Sequence, residues 1–407
     1  MSKKLLIISS VWVEPNSSAA GNRMLQLIEL FQENNFEVYY ASTASTSDFS
    51  VNLSPLNCQV FQIELNNSSF NNFILDLDPN IVLFDRFMVE EQFGWRVAQT
   101  CPNAMRILDT EDLHFLRLAR QECVKKNIDF SIDYLFNFDT TKREIASIYR
   151  CDISLIISKY EIDLLLNHFK IPENLLLYLP LFGGKNNDIL NFDARKDFVF
   201  IGNFLHEPNW DAVKQLSKNI WNTIHKKLPN AKMQIYGAYP SQKVFDLHNA
   251  KSNFIINGRA ENALNVISNA KVLLAPLRFG AGIKGKFIEA MQTGTPTITT
   301  SIGAEAMTLS NSWNGYIAND FEEFAQNAIQ LYTDEILWKK SQQTGFEILS
   351  KKFNKNLFKA IFSESIQKLA FNLPQHRNQN YIGKILQFHT ANSYYYMSKW
   401  IEEKNKI

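Results

Sequence analysis

An apolar run that breaks at once into a glycine-rich loop and a short helix constrains this chain more than any other stretch. Residues 271–305 read KVLLAPLRFGAGIKGKFIEAMQTGTPTITTSIGAE. Val272 to Leu277 has the length of a buried parallel strand, and Arg278-Phe279-Gly280-Ala281-Gly282-Ile283-Lys284-Gly285-Lys286 follows it. The pattern then predicts a helix over Phe287 to Met291, ended by Gly294 and Pro296, and a strand at Thr297 to Thr300. Strand, glycine loop and helix start form a cradle for phosphate. Glycines let backbone N–H groups turn toward an anion, the helix N-terminus adds its positive end, and Arg278, Lys284 and Lys286 supply charge. Glu289, in the first turns of the helix, can accept hydrogen bonds from a hydroxyl pair such as that of a ribose. The stretch points to a nucleoside-diphosphate site.

The same residues, Gly280-x-Gly282-x-x-Gly285, also spell the dinucleotide-binding fingerprint, with Glu305 about 20 residues further on as the ribose acid. Three features favour the diphosphate over the dinucleotide: the helix is short, the motif lies two-thirds along the chain, and lysines stand where backbone and dipole alone would suffice. A purely structural glycine loop is the other alternative.

At 407 residues, 45% hydrophobic and 13% aromatic, the chain can fill two ordinary cores. Its net charge of +1 gives no reason to expect nucleic acid as a partner. Cys58, Cys101, Cys123 and Cys151 are widely spaced, which argues for buried thiols in a reducing compartment over a zinc site or disulfide framework. The N-terminal Leu5 to Ser9 reads as a first buried strand, no cleavage site following it, and no run reaches the ~18 apolar residues of a spanning helix. The expected location is therefore cytoplasmic, with the inner face of a membrane as an extension of that reading.

From Leu5 onward strands and helices alternate, the signature of a doubly wound α/β domain. The loop from Glu14 to Arg23 lies at the C-terminal edge of the sheet, where such folds bind ligands, so Gly21 and Arg23 are second-rank site candidates, a solvated arginine being the alternative. The strand at Met105 to Leu108 empties into an acidic loop, which concentrates Asp109, Glu111, Asp112 and His114 at the cleft. Ser131 to Arg150 reads as one helix with Arg143 and Arg150 on its exposed face, and Trp210 to Leu228 as one long helix. Residues 1–183 form the first domain, 184–195 a linker, 196–356 the second domain, and 357–407 a returning helix with a tail.

The run GAGIKGKFIEAMQTGTPTITTSIGAEAM resembles the donor-binding segment of nucleotide-sugar glycosyltransferases of the GT-B fold, especially the retaining family 4. The resemblance extends upstream through Phe198 to Asn203, Pro208 to Ala212, Lys232 to Gly237 and Asn257-Gly258-Arg259. It implies two Rossmann-like doubly wound domains facing a cleft, with transfer of a sugar from a nucleotide donor to a hydroxyl acceptor. Glu289 matches the second glutamate of the family's E-x7-E element, which binds the donor ribose; the first would fall at 281, where this chain has Ala281. Lys284 and Lys286 are then candidates for the pyrophosphate, with Arg278 and the backbone of Gly280, Gly282 and Ile283. Gly202 opens the second domain's first loop, where Asn203 stands in place of the family's frequent arginine, and Arg259 lies where relatives meet the base. His206 could face the diphosphate. On the first domain the resemblance assigns His114 to the donor sugar and Asp112 to sugar or acceptor hydroxyls.

What this implies is a donor of UDP or GDP type, used as substrate, with no resident cofactor and no metal, and a glycan, lipid-linked or protein hydroxyl as acceptor. Bacterial surface-polysaccharide assembly follows by analogy. The alternative on the same fold is a sugar-nucleotide binding protein without transfer, or an epimerase. Residues 372–407 lie beyond the resemblance, and their aromatic content suits packing on the own chain, a partner chain or a membrane surface.

Overall fold

The computed structural model describes residues 3–404. Seven strands make the first sheet: Lys3–Ser9 (β1), Phe36–Ser42 (β2), Cys58–Gln62 (β3), Ile81–Asp85 (β4), Met105–Asp109 (β5), Ile153–Ile156 (β6) and Leu176–Tyr178 (β7). Leu5 to Ile8 are fully buried, so β1 has no polar face and needs cover on both sides. Alternate residues supply two cores: Leu6, Ile8, Val82 and Phe84 on one face, Leu5, Ile7, Leu83 and Ile107 on the other. All pairings are parallel, in the order β3-β2-β1-β4-β5-β6-β7.

The second sheet comprises Lys196–Ile201 (β8), Met233–Tyr236 (β9), Phe254–Gly258 (β10), Ala270–Ala275 (β11), Thr297–Thr299 (β12) and Gly315–Ile317 (β13), also parallel, ordered β10-β9-β8-β11-β12-β13. In each sheet the strand order reverses direction beside the first strand, between β1 and β4 and between β8 and β11. Those are the crevices where such sheets bind ligands. Both open toward the interdomain cleft.

Between the sheets, residues 183–195 form no helix or strand. The segment is tied to the second domain: the Asn186 N–H donates to the Gln292 carbonyl at 3.0 Å, and the fully buried Arg195 donates to Leu190, Thr293 and Thr295. The return runs through the helix Lys355–Phe371, whose Phe358, Phe362, Ile366 and Leu369 join the first domain's core. All four cysteines are buried free thiols.

Local expectations fail where buried charge overrides pattern. Ser131 to Arg150 is a 3-10 turn at 132–137 followed by the helix Asp139–Arg150. Arg150 is not exposed: it is buried and paired with Glu90, while the half-exposed Arg143 grips Glu91. The predicted long helix breaks into Glu207–Gln215, a π-helical turn at Leu216–Ile220, and Trp221–Lys227.

The last helix, Tyr381–Lys404, packs on its own chain through its small and polar residues. Gly383 lies against the Tyr149 carbonyl, Gln387 donates to the Arg150 carbonyl, and Arg96 reaches Ser398 and Glu402. Its outward row is Tyr381, Ile385, Phe388, Tyr396 and Trp400. Among the described residues no helix is long and apolar enough to cross a membrane.

The preceding helix, Leu373–Gln379, is pinned by Arg377, which forks onto both oxygens of buried Asp152 at 2.7 Å each and donates to the Ala104 carbonyl. Arg377→Ala leaves that carboxylate short of partners, a loss of about 2–3 kcal/mol. Calorimetry should show the melting temperature falling by several degrees, and an unchanged value would mean that the tail is not held by this fork.

Candidate functional site

The glycine loop after β11 is not open to solvent; the first domain holds it. Gly282 has φ +63, and a Cβ there would lie 2.9 Å from Ile157 Cδ1 and 3.0 Å from Asp112 Cβ, so only glycine seats at this apex. Its N–H donates to Glu161 Oε1 at 2.8 Å, and that oxygen also takes the Leu113 N–H at 3.0 Å. Arg120 donates to the Gly280 carbonyl and forks onto Glu305 at 2.7 and 2.9 Å. Glu305, the ribose acid of the dinucleotide alternative, is thus committed to an interdomain ion pair. Ala281 packs into the first domain's apolar cluster, where a glutamate would bury its charge among hydrophobic side chains.

On the second domain's side, Lys286 Nζ donates to Asn209 Oδ1 at 2.7 Å and lies 4.1 Å above the Phe200 ring. Lys284 Nζ donates to the Gly282 carbonyl at 2.9 Å. Burial lowers both amines, Lys286 to about 7 and Lys284 to about 8. Each donates its hydrogen bond to a neutral acceptor, while the charge of Glu305 acts on Lys284 and that of Glu289 on Lys286. Arg278 differs, because its guanidinium is forked onto Asp211. Gly202 makes room for the Asn209 amide, which in turn donates to the Asn203 carbonyl at 2.8 Å. Ile283 sends its side chain into the second domain's core.

Glu289, raised by burial against the pull of Lys286, lines an interdomain cavity of about 220 Å³ with Asn16, Asn22, Asn262, Leu264 and Gly285. That pocket has polar groups and room for a ribose. Arg259 stacks 3.9 Å from the Phe49 ring centre, and Tyr239 donates to Glu14, so the far rim is also closed by contacts between domains. Gly21 lies in the first turn of the helix Ala19–Gln32, where a Cβ would sit 2.4 Å from the Glu14 carbonyl. Arg23 is no solvated loop residue: fully buried, it donates to Asp109 at 3.1 Å and to the Pro180 carbonyl at 3.0 Å.

Across the cleft, His114 starts the helix His114–Lys126. Its Nδ1 is 3.3 Å from Asp112 Oδ1 and 3.6 Å from Glu144, which leaves Nε2 as the nitrogen for a ligand. Burial opposes a charge on the imidazole, but Asp112 and Glu144 outweigh it and the pKa is raised. Burial likewise opposes ionised Asp112, and Arg117 at 2.7 Å with His114 holds it well below the usual range. His206, from the second domain, meets this group. Burial and Arg117 lower it to about 4, so His206 is a neutral imidazole beside one whose pKa is raised. Sequence reasoning missed Glu161, Arg117 and Arg120. Arginines on a helix face read as solvated, and Glu161 reads as a helix cap.

These shifts set a titration order. Proton NMR of the histidine C2–H resonances should show His206 neutral down to about pH 4 and His114 charged above its ordinary 6.5. The His114 contribution to stability is full below 6.5 and is lost as pH rises through the raised folded value. A His206 titrating at 6.5 would show that the two domains do not meet at this point.

Residues 195–334 match the family described as glycosyl transferases group 1. An uncharacterized 44.6 kDa protein in the cps region of Klebsiella pneumoniae is 23% identical over 296 residues, 69% of this chain and 74% of that one. The S. aureus TarM G117R mutant, solved with fondaparinux, alpha-GlcNAc-glycerol and UDP, superposes with a TM-score of 0.69 over 91% of this chain and 100% of its own, at 11% identity. Anabaena Alr3699/HepE, solved with UDP and glucose, gives 0.66 over 90% of this chain and 100% of its own, at 12% identity. WaaG, a glycosyltransferase involved in lipopolysaccharide biosynthesis, gives 0.59 over 85% and 95%, also at 12% identity. The chain therefore has the GT-B fold of two Rossmann-like domains, and the match to glycosyl transferases group 1 falls on the domain that carries the glycine loop.

Proposed function

We propose that this protein transfers a sugar from a UDP-type donor to a hydroxyl of a glycan or lipid-linked acceptor, with retention of configuration and without a metal ion, in surface-polysaccharide assembly. One observation carries the reading: Lys284, Lys286 and Glu289 at the second domain's crevice oppose His114 and Asp112 at the first domain's. The UDP in the TarM and HepE structures supports the choice of base, and the cps-region relative supports the pathway.

In this mechanism Glu289 accepts from the ribose hydroxyls and orients the nucleotide. The lysines, held by neutral acceptors, have charge to give as the diphosphate leaves, and His114 Nε2 meets the sugar. The acceptor oxygen bonds to the anomeric carbon from the face that the diphosphate vacates, and its proton passes to the departing diphosphate oxygen. Closed contacts along both rims exclude water during transfer.

An anion favours the charged form of each lysine, so UDP binding raises their pKa values and takes up protons. Affinity for UDP is then highest below about 7 and falls as pH rises through about 8. Calorimetry in two buffers of different ionisation enthalpy measures the uptake. Glu289→Ala should weaken UDP roughly 10–100-fold, the loss of hydrogen bonds to a charged group, and chelator should leave activity intact. If UDP, GDP, ADP and CMP all fail to bind, the reading is wrong. Tight UDP binding without release of UDP from any donor would point to a binding protein or an epimerase.

A further inference from the structure

Glu161 heads the helix Lys159–Asn167, and Ser158-x-x-Glu161 has the spacing of a capping box, in which the glutamate would serve its own helix. It does not. Ser158 makes no side-chain cap, its hydroxyl lacks a partner, and the Glu161 carboxyl leaves its helix to take N–H groups from both domains, Leu113 and Gly282. The side chain is fully buried. Gly282, which it holds, also accepts Lys284 Nζ through its carbonyl at 2.9 Å, so movement of this residue carries the lysine with it.

We propose that Glu161 is a positioning residue for sugar transfer, holding the glycine loop of the opposite domain in the one arrangement that presents Lys284 to the donor. This rests on the nucleotide-sugar reading above. The alternative, a merely structural acid, gives no reason for the carboxyl to abandon its helix for a glycine 121 positions away. With the family's first glutamate absent at 281, the loop takes its fixed point from the first domain, and donor geometry becomes complete only when the cleft is closed. Burial and the neighbouring Asp112 push Glu161 up to about 8, so near neutrality it is an uncharged acid whose oxygen accepts two N–H bonds. Glutamine can do the same.

The test compares Glu161→Gln and Glu161→Ala for UDP affinity, for release of UDP from UDP-glucose and UDP-N-acetylglucosamine, and for radius of gyration by small-angle scattering. Glu161→Ala should lose UDP affinity through the displaced Lys284 and lose kcat about 100-fold, the effect of a misplaced group, and the radius of gyration should grow. Glu161→Gln should stay near wild type in all three. Wild-type kcat and compactness in Glu161→Ala would overturn the proposal, as would equal damage in both variants. Should Glu161→Ala not fold, Gly282→Ala tests the same seat from the other domain, with the same losses expected and wild-type kcat overturning it. A wild-type protein that neither binds UDP nor releases it from either donor contradicts the functional reading instead, and scattering of the unliganded variants then still decides whether Glu161 holds the domains together.

Discussion

The seating of one glycine loop in the opposite domain organises the rest of this site. Gly282 touches Ile157 and Asp112, Ala281 enters the first domain's apolar cluster, and Ile157 with Leu181 enters the second domain's core. The two cores therefore interlock across the cleft. Arg120 and Glu305 add a partly buried, bidentate ion pair, which contributes registration more than net stability, because desolvation offsets most of the Coulomb gain. The same exclusion of water depresses the two lysines.

The charges on the two sides of the cleft are handled differently. The first domain's arginines find carboxylates: Arg23 with Asp109, Arg86 with Asp85, Arg117 with Asp112. On the second domain Lys284 and Lys286 rest on a carbonyl and an amide oxygen. Neutral acceptors satisfy hydrogen bonds without cancelling charge. An anionic ligand therefore meets cations on the second domain that no carboxylate hydrogen-bonds, which is the electrostatic basis for the proposed donor site. Arg278, already forked onto Asp211, stands outside that pattern.

Much of the fold was legible because parallel strands buried on both faces leave long apolar runs, as in Leu5 to Ile8 and Val272 to Ala275. Turn formers at 183–188 marked the break before β8. The glycine loop announced itself by local spacing, and its neighbours Lys284, Lys286 and Glu289 came with it. What stayed hidden were pairings over long separations. Arg150 with Glu90, Arg23 with Asp109 and Glu161 with Gly282 join residues 60, 86 and 121 positions apart, and no local pattern marks a charged side chain as buried. The outward aromatic row of Tyr381–Lys404 was visible as composition, but which face met the protein depended on Gly383 and Arg96.

Amines that lose their proton near neutral pH are also nucleophiles there. Lys284 and Lys286 present a free lone pair over an appreciable fraction of the time. An acylating reagent small enough to enter the cleft would thus meet a reactive amine at each of them. A bound nucleotide would shield these amines twice, by covering them and by returning their protons.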